Sequence, residues 1–348
     1  MLALAGCAGQ PASEPRIVQL AETAAVPRRA WVVGEGPDTL IALAGGPGLP
    51  GEYLAEALAR LGPRHTVVVW EAPGSGLRAS GAARSASLEI DSLADDLARF
   101  VTHLGVERVT LIAHDFGALV AARHAMRFPE RTERLALIAP VPLRHVYHTA
   151  MRLRPADTAA MAILMRLIAD SVPARDPVRF CREAWPFYLA PHLERDSAVV
   201  RALRPPLCRA PEGALRAVAP TKEGAYHSLA NWEWRDSLRQ LHVPTLVIVG
   251  TRDTLLLHAQ RSWAGYIPGA TVVEADASSL APWIARPALL TEAVAAFLEG
   301  RSVEPARHPT PAELAAPGDT VPPPGVDSAS YRITLDSLAR RASSTAAR

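Results

Sequence analysis

Six short apolar runs set the limits on what this chain can fold into: "TLIALAGG" (39–46), "HTVVVWE" (65–71), "RVTLIAH" (108–114), "RLALIAP" (134–140), "TLVIVGT" (245–251) and "ATVVEAD" (270–276). Each is too short for a helix of ordinary length and too continuously apolar for a strand with one wet face. Helix-period stretches separate them: "EYLAEALARLG", "LEIDSLADDLARFVTHLG", the segment from Gly117 to about Phe128, "HAQRSWAGYI" and "PALLTEAVAAFLEG". Doubly buried strands joined by helices predict an α/β fold with a mostly parallel central sheet flanked by helices.

The alternation fails once. Residues 143–238 are rich in Arg, Pro and Trp, with helix-period apolar positions and no good strand. That interruption predicts an inserted helical cap between two core segments, 29–142 and 239–300. Residues 1–28 read as an N-terminal tether, and the Pro-, Ala- and Ser-rich stretch 301–348 is expected to be disordered apart from a short helix at "TLDSLARRA".

One strand-to-helix junction carries chemistry. In "LIAHDFGALVAARHA" (111–125) an apolar strand meets a helix through a small-x-nucleophile-x-Gly turn whose central position holds Asp115. The positive end of the helix dipole beside it favours a carboxylate. The plainer alternative is that Asp115 caps the helix.

Charge narrows the partners. A net charge of +2 with scattered basic residues gives no nucleic-acid footprint, and no run of 18 apolar residues provides a spanning helix. A small-molecule substrate or ligand is expected, with no metal and no cofactor.

Several motifs in order resemble the α/β-hydrolase superfamily, and its proline-iminopeptidase-like branch in particular: "LAGGPGLPGEYL", "VVVWEAPGSGLRAS", the elbow, the cap, "GTRD" and "LAPWIARP", together spanning about residues 29–299. The resemblance implies the α/β-hydrolase fold and a triad in the chain order nucleophile, acid, histidine. Asp115 then stands at the nucleophile position and Asp253 at the acid position, the alternative for Asp253 being a turn or N-cap aspartate. Backbone N–H groups of Gly45, Gly46 and Phe116 are the implied oxyanion donors. The chain departs from the pattern twice: Ala44 replaces the supporting histidine that usually opens the oxyanion loop, and Ser279 stands where the catalytic histidine belongs. A serine hydroxyl does not accept a proton from water at neutral pH as an imidazole does.

An elbow carboxylate changes the chemistry expected. It needs no base to become nucleophilic and can attack an alkyl carbon, whereas attack on an amide would give a high-energy anhydride. "HDFG" accordingly resembles the epoxide hydrolases and haloalkane dehalogenases, which form an alkyl ester on an elbow aspartate, and peptidase activity is not expected. Cap tyrosines protonate the opening oxygen in epoxide hydrolases, which singles out Tyr147, Tyr188 and Tyr226; Trp185, Trp232 and Trp234 are candidates to line a pocket, or simply core. Candidate substitute bases are His258, His145 and His148, the plainer reading of each being a surface histidine. Three functions stay open: a low-turnover hydrolase of a small apolar substrate, a catalytically silent small-molecule-binding protein, and an envelope scaffold.

The N-terminus adds a location. "LAGC" at residues 4–7 resembles the bacterial lipobox, which implies lipid on Cys7 and a cell-envelope lipoprotein. Only six residues precede Cys7, fewer than a charged region plus an apolar region require, so this reading needs a start further upstream; otherwise the match is chance and the protein cytoplasmic. In the envelope, Cys181 and Cys208 form an even pair able to bridge.

Overall fold

The computed structural model describes residues 12–20, 29–79, 88–145, 148, 158–189 and 197–314. Cys7, Tyr147, the greater part of the tail and its expected helix lie outside the described residues.

The six apolar runs all become strands, numbered here β3 (Asp38–Leu43), β4 (His65–Trp70), β5 (Val109–His114), β6 (Thr132–Ile138), β7 (Thr245–Gly250) and β8 (Thr271–Ala275). Two further strands, β1 (Arg16–Gln19) and β2 (Arg29–Val33), complete an eight-stranded sheet in the order β1-β2-β4-β3-β5-β6-β7-β8. β1 and β2 are antiparallel and the pairings from β4 to β8 are parallel. β1, which by sequence belonged to the tether, is short and mostly exposed, as suits an edge strand.

The parallel strands bury both faces. In β3, Ile41 and Leu43 pack with Val68, Trp70 and Leu111 on one side, while Leu40 and Ala42 pack with Val67, Val69 and Ile112 on the other. That alternation follows from the two-residue period of a strand. The helices α2 (Ile90–His103) and α3 (Gly117–Arg127) cover the first face; α1 (Glu52–Ala57) and α12 (Pro287–Leu298) cover the second.

Between β6 and β7 the described residues are helical: α4 (Thr158–Ala169), α5 (Val172–Arg175), α6 (Pro177–Leu189), α7 (Ser197–Cys208), α8 (Glu212–Leu229) and α9 (Arg235–Leu238). A disulfide between Cys181 and Cys208 ties α6 to the end of α7, with a Cα separation of 5.7 Å. α8 reaches the loops at the carboxyl ends of β3 and β4, where Thr221 Oγ1 donates to the Gly74 carbonyl at 3.4 Å. The cap therefore overhangs the end of the sheet at which ligands of open α/β sheets bind.

After β7 come α10 (Thr254–Tyr266) and, after β8, α11 (Pro282–Ala285). The first part of the expected tail is ordered: Arg307 exchanges backbone hydrogen bonds with Val272 and pairs with Glu313 and Glu274. Such ion pairs connect residues distant in sequence, and composition does not register them.

Candidate active site

β5 delivers Asp115 to the carboxyl end of the sheet, and the turn there is sharp. Asp115 adopts φ +49°, a region costly for any residue with a side chain. The surroundings hold it: its N–H donates to Ile138 O at 3.1 Å, and its carbonyl accepts from Ala118 N at 3.1 Å and Val141 N at 3.3 Å. α3 starts so close to β3 that a Cβ on Gly117 would stand 2.7 Å from the Leu43 carbonyl oxygen. Only glycine fits there.

The loop after β3 closes over the carboxylate. Gly46 donates its N–H to Asp115 Oδ2 at 2.7 Å, from a backbone at φ +44° that favours glycine. Gly45 donates instead to the Tyr53 hydroxyl at 2.6 Å. That hydroxyl lies 2.7 Å from His114 Nδ1, and His114 Nε2 lies 2.8 Å from the Leu280 carbonyl oxygen. The donors sort themselves: Tyr53 already accepts from Gly45, so its O–H donates to Nδ1, and Nε2–H donates to Leu280. Burial pushes the Tyr53 pKa up and the His114 pKa down, the latter against the pull of the Asp115 charge, so both groups stay neutral. Tyr53 and His114 thus brace the loop after β3 where Ala44 cannot.

Asp253 and Ser279 meet at the ends of β7 and β8. Asp253, 5% exposed, donates its N–H to Ser279 Oγ at 3.0 Å, and its Oδ1 accepts from Leu256 N at 3.1 Å. The carboxylate therefore caps α10. Ser279 Oγ also lies 3.3 Å from the Gly250 carbonyl oxygen, which accepts its proton. The next residue, Leu280, is the one bonded to His114, so the loop after β8 is anchored to the end of β5.

The cap adds aromatic rings. Phe116, buried immediately after Asp115, meets Tyr226 of α8 edge-on at 5.3 Å between centroids. His148 stacks on Tyr226 at 4.4 Å and is 8% exposed. His145 and Trp232 flank His148 at 6.3 and 5.3 Å, and the Trp232 indole donates to Pro142 O. Of the cap tyrosines, Tyr226 is thereby brought next to the elbow; Tyr188 lies on α6 with its side chain, like that of Trp185, outside the described residues. Trp234 is half-buried against the main core, and His258 is half-buried on α10. A narrow cavity between Gly45, Leu49, Trp70, Ser75 and Phe116 has room for about one water molecule. Among the described residues no cluster of three or more His, Cys, Asp or Glu side chains is arranged to hold a metal.

Three residues of this site were not singled out by sequence. Tyr53 and His114 stood in quoted motifs without a role. Glu71, in "VVVWEAPGSG", is 3% exposed and accepts from Gly51 N at 2.5 Å and Leu77 N at 2.7 Å, linking the loop after β3 to the turn after β4. Burial pushes its pKa up to about 7, against those two donors and Arg78.

The fold has known counterparts. A putative carbamate hydrolase of Rhizobium rhizogenes is 25% identical over 276 residues, 75% of this chain and 93% of that protein. The dihydrolipoyllysine-residue acetyltransferase component of an acetoin cleaving system of Cupriavidus necator is 32% identical over 108 residues; the match takes in 31% of this chain and only 28% of that protein. The crystal structure of proline iminopeptidase from Mycobacterium smegmatis superposes with a TM-score of 0.55 at 22% identity, over 82% of this chain and 98% of that one, a likeness of fold. The family model described as "alpha/beta hydrolase fold" matches residues 38–284, which run from the first parallel strand through the elbow and the cap to the loop holding Ser279, and the chain therefore belongs to the α/β-hydrolase fold family.

Proposed function

We propose that the protein is a hydrolase of a small apolar substrate that uses Asp115 as a carboxylate nucleophile and turns over slowly. The observation that carries this reading is the hydrogen bond from Gly46 N–H to Asp115 Oδ2 at 2.7 Å. With Oδ2 held, Oδ1 is the oxygen presented for attack. Its lone pair forms a C–O bond to an alkyl carbon while the bond to the leaving oxygen or halide breaks and takes the electron pair with it. For an epoxide, that oxygen takes its proton from Tyr226, whose ring lies against Phe116. In the resulting ester Oδ2 is the carbonyl oxygen. When water adds to Cγ the developing negative charge falls on Oδ2, where the Gly46 N–H already points. The alcohol then leaves and the carboxylate is restored.

Release is the weak step. It needs an activated water, and Ser279 Oγ is engaged between Asp253 N and Gly250 O and is no base at neutral pH. Incubation with small terminal epoxides and haloalkanes followed by intact-mass and peptide analysis tests the reading. The expected result is an alkyl adduct on Asp115 that persists and is absent from Asp115→Ala. Fast hydrolysis surviving in Asp115→Ala refutes it.

The same engagement of Ser279 favours a second reading, a silent α/β-hydrolase-fold protein that binds an apolar ligand beneath the cap. A ligand-induced rise in melting temperature with neither adduct nor turnover would select it. We also propose a bacterial envelope location with lipid on Cys7. The Cys181–Cys208 bridge supports it, because such bonds persist in oxidising compartments. Unchanged fractionation of Cys7→Ser, expressed from an upstream start, would exclude it.

A further inference from the structure

We propose that helix α4 of the cap is a lipid-docking surface, lying against the interface of an anionic membrane. α4 reads "TAAMAILMRLIA" and carries one charge, Arg166. A helix apolar all round is normally buried in a core or against lipid. α4 is neither within the described structure. Leu164 and Leu167 are buried in a small cluster with Val172 and Ala184, against which Met161 and Phe180 pack. The rest of the helix turns outward: Ile163 is 39%, Met165 58% and Ile168 49% exposed. These are three of the four large apolar side chains that stand exposed among the described residues.

The occupant follows from charge and area. The cap, residues 143–238, carries a net charge of +4 whereas the whole chain carries +2, so the segment that bears this helix is positive while the rest of the chain is not. A second copy of the chain would bring the same positive cap towards it. Three side chains on a 12-residue helix also cover much less than the roughly 800 Å² per partner of a standard protein interface. An amphipathic contact with lipid works at this size, since its apolar insertion and its attraction to anionic headgroups add together. The packing of α4 on α6, which the disulfide ties to α7, presents the surface from a braced element. A membrane there would hold the cap, and the site it overhangs, next to apolar molecules dissolved in the bilayer.

The test reads binding and not turnover, so it stands apart from the hydrolase reading. The full chain carrying Cys7→Ser, and hence no acyl anchor, is sedimented with phosphatidylcholine vesicles containing phosphatidylglycerol. It is expected to bind, and Ile163→Ser/Met165→Ser/Ile168→Ser to lower the partition coefficient at least about tenfold with an unchanged melting temperature. Ile17→Ser, an exposed apolar position on β1, is the control and should bind as the parent does. Should the triple variant fail to fold, Arg166→Glu is expected to lower binding by about tenfold on the same vesicles. No sedimentation of the parent, equal loss in Ile17→Ser, or a dimer in light scattering that the triple variant abolishes would each overturn the proposal.

Discussion

Ser279 Oγ stands 3.0 Å from the amide nitrogen of Asp253 and 3.3 Å from the Gly250 carbonyl oxygen, joining the ends of β7 and β8. The hydroxyl completes the local hydrogen bonds of that loop and leaves the Asp253 carboxylate capping α10. Ser279→His is therefore expected to restore release of an Asp115 ester, by about 10²- to 10⁴-fold, the usual contribution of a general base. Single-turnover decay of the adduct, followed by mass spectrometry, measures it. No acceleration in a folded variant means that Asp253, held as a cap, does not orient the new ring.

Tyr53 holds Gly45 and His114 at once. In Tyr53→Phe the Gly45 N–H loses its acceptor and His114 Nδ1 its donor, both in a buried place. A loss of about 1–3 kcal/mol in denaturant unfolding is expected. Adduct formation should slow as well, because the adjacent Gly46 N–H is no longer braced; the two readouts together separate this role from simple packing.

Glu71 gives the stability a pH dependence of definite sign. Its folded pKa is raised from 4.5 to about 7, so the native state binds the proton more tightly than the unfolded chain. The contribution is fully present below pH 4.5 and fades as pH rises through about 7. Across that window the wild type is expected to lose on the order of a few kcal/mol relative to Glu71→Gln. Parallel denaturation curves for the two proteins from pH 4 to 8 test this, and parallel pH profiles would sink it.

The cap disulfide closes a loop with a sequence separation of 27. Cys181→Ser is expected to cost about 2–4 kcal/mol, the range for loops of this size. A thiol reductant should lower the melting temperature of the wild type to that of the variant and leave the variant unchanged.

The parallel core was legible in the chain alone. Strands buried on both faces must be apolar almost throughout, and nothing else in a chain of this composition looks like them, so β3 to β8 and the elbow between β5 and α3 were all legible. The helical stretch between β6 and β7 was legible as an interruption of that pattern, because an interruption is a matter of order along the chain. β1 and β2 were not: β1 is a short, mostly exposed edge strand and β2, inside the sheet between β1 and β4, is a stretch of five residues, and the strand character of both comes from the neighbours they pair with. Nor were the roles of Tyr53, His114 and Glu71. Tyr53 and His114 are 61 residues apart, and Gly51 and Glu71 are 20 apart; each bond exists because the sheet brings distant strand ends to one edge. The direction of a side chain's hydrogen bond and the desolvation that shifts its pKa depend on what surrounds it in space, and the order of residues does not say what that is.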